Sequence, residues 1–112
     1  MDNRLKRQRD FDTVFSKGKK AFSDNLTMIY YKRSFGETKI GISLGKKHGK
    51  AVVRNRIKRL LRAAYIPMIP FIKGSYYIVF LPKVSEEYSF LNFKNAIDFL
   101  LKKEKIIDEV SQ

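Results

Sequence analysis

The sequence predicts an α+β fold. It is a layer of helices packed on a mostly antiparallel sheet, in the order helix, two or three strands, helix, strand, helix. Three observations carry this. The runs LTMIYY (26–31) and YYIVFL (76–81) are short, β-branched and aromatic, with no charged face, so each reads as a strand covered on both sides. Helical periodicity appears before, between and after them. The length, 112 residues, suits one domain able to bury its own core, expected as 1–112 with flexible ends at 1–8 and 104–112.

In chain order, residues 9–17 form the first expected helix. Phe11, Val14 and Phe15 share one face at i, i+3, i+4 spacing, and Gly18 is a stop signal. Residues 21–23 can add a short edge strand. SFGET (34–38) is a turn signal. In KIGISL (39–44), Ile40, Ile42 and Leu44 alternate with Gly41 and Ser43, which gives a strand with one bulky and one small face. Residues 51–66 carry the strongest helical pattern, bounded by Pro67 and Pro70. Pro82 closes the last strand. The final helix, Phe90–Lys103, turns Phe93, Ala96, Ile97, Leu100 and Leu101 inward. The tail DEVSQ is expected to fray.

Charge narrows the function classes. Lys and Arg outnumber Asp and Glu by 24 to 11, a formal charge of +13. Such a balance points to nucleic acid or an anionic membrane surface. Its distribution says more: between Glu37 and Glu86 there are eleven Lys or Arg and no carboxylate. The absence of cysteine excludes disulfides, zinc ribbons and thiol catalysis, and is compatible with a reducing, cytoplasmic location. No apolar run approaches the ~18 residues of a membrane span, and the charged N-terminus does not read as a secretory signal. A metal-dependent nuclease site needs clustered carboxylates. Asp10 and Asp12 alone do not make one. His48 is the only histidine, so no His pair can share acid and base roles, and it reads as an ordinary loop residue with some phosphate contact.

The segment GKKHGKAVVRNRIKRLLRAAY (45–65) holds eight Lys or Arg and no acid. At about 100° per residue, Val53, Ile57, Leu60, Leu61 and Ala64 form a core stripe. Asn55, Lys58, Arg59 and Arg62 fall on the opposite arc. Arg54 and Arg56 sit at the two margins, where their stems can cover apolar surface. Lys46, Lys47 and Lys50 lie in the preceding loop, and the first-turn amides add anion-binding donors. A solvated basic face is the ordinary explanation of a charge run. It would tolerate Glu, however, and like charges at i,i+4 are destabilising on their own. A membrane-surface helix fits poorly, because the apolar stripe is narrow, aliphatic and needed for the core. Within the helix Arg predominates over Lys, which suits bidentate phosphate contacts.

The stretch KKHGKAVVRNRIKRLLR resembles the signature of the bacterial ribonuclease P protein subunit, whose hallmark is an Arg-Asn-Arg run in a basic helix, here Arg54, Asn55 and Arg56. RLKRQRDFDTVFSKGK resembles the first helix of that family, and KIGISLGKK the strand that leads into the motif. The match covers about residues 4–81. The resemblance implies a small α/β sandwich on a four-stranded, mostly antiparallel sheet, order α-β-β-β-α-β-α, with a left-handed βαβ crossover around the central helix. It implies a protein that assists a catalytic RNA in the endonucleolytic removal of the 5′ leader from precursor tRNA. The RNA subunit then carries the active site and its Mg²⁺, and the protein alone is inactive, is monomeric and has no catalytic residue or metal site.

Two RNA surfaces follow from the resemblance. Lys46, Lys47, Lys50, Arg54, Asn55, Arg56, Lys58, Arg59 and Arg62 would face the RNA subunit. A cleft between the first helix and the sheet would take the leader, with Phe11, Phe15 and either Tyr30 or Ile29 in it and Arg4, Lys6, Arg7 and Arg9 at its mouth. The small face of Gly41 and Ser43 would leave room for the strand. Aromatic faces suit single strands because any base can stack on them. By spacing alone, core packing is the favoured reading of Phe11 and Phe15, since aromatic stripes usually are core, and only the resemblance brings the cleft reading level with it. Two rivals stand beside this reading. A ribosomal-protein-like RNA binder with no part in cleavage explains the charge but not the strand–loop–helix signature. An enzyme cleaving nucleic acid with its own side chains lacks the carboxylates.

Overall fold

A computed structural model describes residues 3–108. The elements are α1 (Gln8–Lys17), β1 (Lys19–Phe22), β2 (Leu26–Arg33), β3 (Lys39–Ile42), α2 (Ala51–Tyr65), β4 (Ser75–Pro82) and α3 (Phe90–Lys103), with short 3₁₀ turns at Lys46–His48 and Ile66–Phe71. The sheet order is β1-β2-β4-β3. β1 and β4 both flank β2 antiparallel, while β3 runs parallel to β4. A parallel neighbour needs a crossover, and α2 supplies it.

The register explains why the two central strands lack a polar face. Met28 pairs with Phe80 and Ile29 with Val79, so successive residues feed opposite layers. Leu26, Met28, Ile78, Phe80 and Ile40 join Ile57, Leu61, Ala64 and Tyr65 of α2 and Phe93, Ile97, Leu100 and Leu101 of α3 in the larger core. Ile29 and Val79 join Val14 and Leu5 in a smaller core under α1, flanked by Phe11, Tyr31, Tyr77 and Leu81. Within α2 the expected stripe holds at Ile57, Leu61 and Ala64, with Leu60 half-buried. Val53 departs from it and is 37% exposed: it lies in the first helical turn, beside Gly49 and at the hollow lined by Val84 and Tyr88. α3 starts at Ser89, whose hydroxyl accepts from the Asn92 N–H at 3.1 Å.

Both ends pack where flexible segments were expected. Leu5 is buried, its N–H donates to Ile40 O at 3.0 Å, and the Ile40 N–H donates to Asn3 O at 2.7 Å. Residues 3–5 thereby cover the open edge of β3, the kind of edge proteins protect. At the other end Ile106 and Ile107 are buried, and Ile106 O accepts from the Lys73 N–H at 2.9 Å. Two apolar side chains outweighed the charged residues around them. The remaining expected flexible positions, 1–2 and 109–112, lie outside the described residues.

The C-terminal turn is also tied to the sheet by the Tyr30 hydroxyl, which donates to Glu104 Oε1 at 2.5 Å. Burial first, and then this bond and the Glu104 charge, push the Tyr30 pKa up to about 12. The sign follows from linkage. Between the ordinary tyrosine value near 10 and about 12, the unfolded chain has lost the proton and the folded chain keeps it. Stability from this group is therefore present below pH 10 and lost on the rise to 12. Tyr30→Phe should cost about 1 kcal/mol at neutral pH. Denaturant titrations should show the gap between wild type and variant closing at alkaline pH; a gap that is constant or widens contradicts the linkage.

Candidate RNA interface

The basic loop is built around backbone that only certain residues allow. Gly45 precedes the 3₁₀ turn, and Gly49 closes it with φ of 107°, in the left-handed region that favours glycine. Lys46, Lys47 and Lys50 are exposed on this loop. His48 is not an ordinary loop residue. Its Nδ1 accepts from the Gly45 N–H at 3.1 Å, and its Nε2 lies 2.7 Å from Pro82 O at the end of β4.

α2 presents its cations in three directions. Asn55, Arg56 and Arg59 are exposed, with Val52 and Ala63 among them. Arg54, Lys58 and Arg62 recur every four residues and are only half-exposed. Arg54, Asn55 and Lys58 line a groove of about 370 Å³ with Ser43 at the end of β3. Lys58 and Arg62 line a second hollow of about 100 Å³ with Arg4, Phe11, Gly41 and Ile42. The two share Ile42 and Lys58 as lining residues and adjoin beside β3 as a trough in two parts. The Arg54 Nε is buried there without a hydrogen-bond partner. On the other side of the helix Arg56 and Lys47 face Glu86 and Glu87 across a hollow of about 530 Å³. The nine predicted helix and loop residues thus belong to one basic surface but not to one face. The four-residue spacing of Arg54, Lys58 and Arg62 was the available signal for the trough.

The residues expected in the aromatic cleft lie on two different layers of the structure. Phe11 and Phe15 lie side by side on α1, ring centroids 6.4 Å apart and planes 26° from parallel. Phe15 is 41% exposed, whereas Phe11 is half-buried, with the tip of its ring against Gly41 of β3. A Cβ on Gly41 would stand 2.6 Å from Phe11 Cζ, so the space at Gly41 is filled by that ring rather than left for a strand. Ile29 is on the α1 side, in the small core. Tyr30 is not: it packs with the larger core on the opposite layer, its ring edge-on to Tyr76 at 6.0 Å. The tyrosines on the α1 side are Tyr31 and its cross-strand partner Tyr77. The Arg33 guanidinium covers Tyr77 at 4.2 Å and donates to Glu37 O. Arg4, Lys6, Arg7 and Arg9 are exposed around the start of α1, Arg4 at the trough.

Guanidinium and ammonium groups lining a groove, with aromatic rings at one end, make a surface for a single-stranded or looped polyanion. The fold and this surface define a small, basic α/β RNA-binding protein. Residues 1–105 match the Ribonuclease P family, and the chain belongs to that family. Among relatives, it is 36% identical over 101 residues to the ribonuclease P protein component of Dictyoglomus turgidum, covering 90% of this chain and 85% of the relative. It is 37% identical over 105 residues to that of Lactococcus lactis subsp. lactis, covering 92% and 88%. The RNase P protein from Thermotoga maritima superposes with a TM-score of 0.79 at 28% identity, covering 89% of this chain and 96% of that one. The Staphylococcus aureus RNase P protein, at 24% identity, shares the fold with a TM-score of 0.84 over 96% of this chain and all of that one. The family role is RNA binding and precursor-tRNA processing, as a subunit of an endoribonuclease holoenzyme.

Proposed function

We propose that the exposed side of α2 and its loop hold the catalytic RNA, while the trough and α1 receive the 5′ leader of precursor tRNA. The observation that carries this is the joining of Lys58 and Arg62 to Phe11 in one hollow, which puts phosphate-binding and ring groups on a single path. Lys46, Lys47, Lys50, Asn55, Arg56 and Arg59 serve the RNA subunit. Arg54, Lys58 and Arg62 reach into the trough, and the exposed Phe15 offers a ring to a leader base. Arg4, Lys6, Arg7 and Arg9 contact phosphates at the mouth.

Mg²⁺ belongs to the RNA in this reading. The donors fit that division, since the surface offers cations for phosphates, and the described residues include no group of three or more His, Cys, Asp or Glu able to hold a metal. The protein works as a monomer within the holoenzyme, in the cytoplasm where both RNAs reside. No helix of the described residues is long and apolar enough to cross a membrane.

The test is leader length. Stacking is worth about 1–3 kcal/mol per base by alanine substitution. Phe15→Leu keeps an apolar body and removes the flat ring. Holoenzyme affinity should fall about five- to tenfold for a precursor with several leader nucleotides. It should be unchanged for a one-nucleotide leader and for mature tRNA. Equal losses on all three substrates, or a loss explained by a lower melting temperature, would return Phe15 to packing.

A further inference from the structure

His48 stands at the hinge between the basic loop and the sheet, and both its ring nitrogens are engaged. Nδ1 sits 3.1 Å from a backbone N–H and must accept there. The ring proton is then on Nε2, which donates to Pro82 O at 2.7 Å. The ring therefore bridges Gly45, where the loop begins, to the residue that ends β4. The reach of a side chain back to the amide three residues earlier resembles a capping box. Here it closes a three-residue turn rather than a long helix. The charged groups around it are Lys46, Lys47 and Lys50 on its own loop, Arg56 on α2, and Glu86 and Glu87 on the segment after β4.

We infer that His48 is a positioning residue for the RNA-subunit surface: its neutral Nε2–H form fixes the Gly45–Lys50 loop, and protonation of the ring releases it. An imidazolium carries hydrogens on both nitrogens, so Nδ1–H would point at the Gly45 N–H, donor against donor. The Pro82 bond would survive and the Gly45 bond would not. The inference rests on the reading that this loop contacts the RNA subunit. It gives an unusual sign. A new positive charge on a phosphate-binding loop ordinarily strengthens RNA binding. Release of the loop weakens it instead.

The test has two arms. In the free protein, ¹⁵N chemical shifts of the imidazole should report the Nε2–H tautomer at neutral pH. The Gly45 amide should lose its hydrogen-bonded shift in step with ring protonation. In the second arm, affinity of the protein for a bacterial ribonuclease P RNA is measured from pH 7.5 to 5.5 at fixed ionic strength, for wild type, His48→Gln and Arg56→Ala. Gln can still reach Pro82 O but has no ring to titrate. Wild-type affinity should fall about three- to tenfold relative to His48→Gln across the range, the scale of one net hydrogen bond. Affinity that rises with acid only in wild type makes His48 a plain phosphate contact and overturns the inference. So does a flat difference, or an Nδ1–H tautomer. If Arg56→Ala leaves RNA affinity untouched, the assignment of this surface to the RNA subunit fails, while the tautomer arm still judges the clamp on its own.

Discussion

Purified to remove all nucleic acid, the protein is expected to leave precursor tRNA intact over hours, and addition of a bacterial ribonuclease P RNA with millimolar Mg²⁺ to produce the mature 5′ end within minutes. The physical case is the poverty of the protein's own chemistry. General acid–base cleavage needs a proton acceptor with a free lone pair near the reacting atom. The single histidine uses its acceptor nitrogen on Gly45. The trough side chains Arg54, Lys58 and Arg62 are cations that bind phosphate without activating a nucleophile. The dependence on salt should be steep, because each neutralised phosphate releases counterions, with a slope of about 0.9 per contact on B-form DNA and about 0.7 on single strands. Removing Arg56 or Arg59 should reduce that slope by about one, whatever the leader. RNA-free protein that still cleaves, after controls for contaminating nucleases, would refute the division of labour outright.

The second large effect lies at two glycines that meet different kinds of neighbour. At Gly18 an added Cβ would stand 2.5 Å from Val14 O and 2.9 Å from Tyr30 O. Both are backbone atoms held in secondary structure, so the strain is relieved only by lifting α1 from the sheet. Gly18→Ala should cost about 3 kcal/mol, the upper range for overpacking, and lower the melting temperature by about 10–20 °C. At Gly41 the obstacle is the far end of the Phe11 ring at 2.6 Å, with Leu5 Cβ at 3.1 Å. A ring can rotate away. Gly41→Ala should therefore cost less stability, about 1 kcal/mol, yet shift Phe11 within the hollow it shares with Lys58 and Arg62. Long-leader precursor should then bind more weakly, with RNA-subunit affinity unchanged. Similar melting temperatures for the two variants would show that the neighbours at Gly18 yield as easily as a side chain.

Much of this was legible in the sequence, and the exceptions have physical causes. α3 occupies the expected Phe90–Lys103, with all five predicted inward residues buried, because a regular 3.6-residue pattern with a capping Ser89 leaves little freedom. The basic surface was legible for a similar reason: eight cations in a carboxylate-free run need an anionic partner. The layer on which Tyr30 packs was not. In LTMIYY both faces are apolar, so alternation separates two sets without saying which layer each set meets. Only the pairing of Ile29 with Val79 under Val14 labels the faces. The filled space at Gly41 was equally hidden, since it depends on where α1 crosses the sheet. The packed ends escaped notice because Leu5, Ile106 and Ile107 are few among many charges. The His48 clamp has no local signature at all: its second partner, Pro82, lies 34 residues away.

The pairing of β2 with β4 has a kinetic side. Arg33 meets Ser75 at one end of the ladder and Leu26 meets Pro82 at the other, so closing the centre of the sheet means drawing together positions some forty to fifty-six residues apart. Contacts of such long sequence separation slow folding, because loop closure must precede any reward. The segment looped out between Arg33 and Ser75 carries ten cations and a single acid, Glu37. Collapse therefore brings like charges together before any core has formed, and self-repulsion opposes it. Counterions relieve that repulsion by screening. Ionic strength thus acts in opposite directions on successive stages of the molecule's life: it assists the nascent chain in reaching its native topology and hinders the finished protein in taking up its RNA.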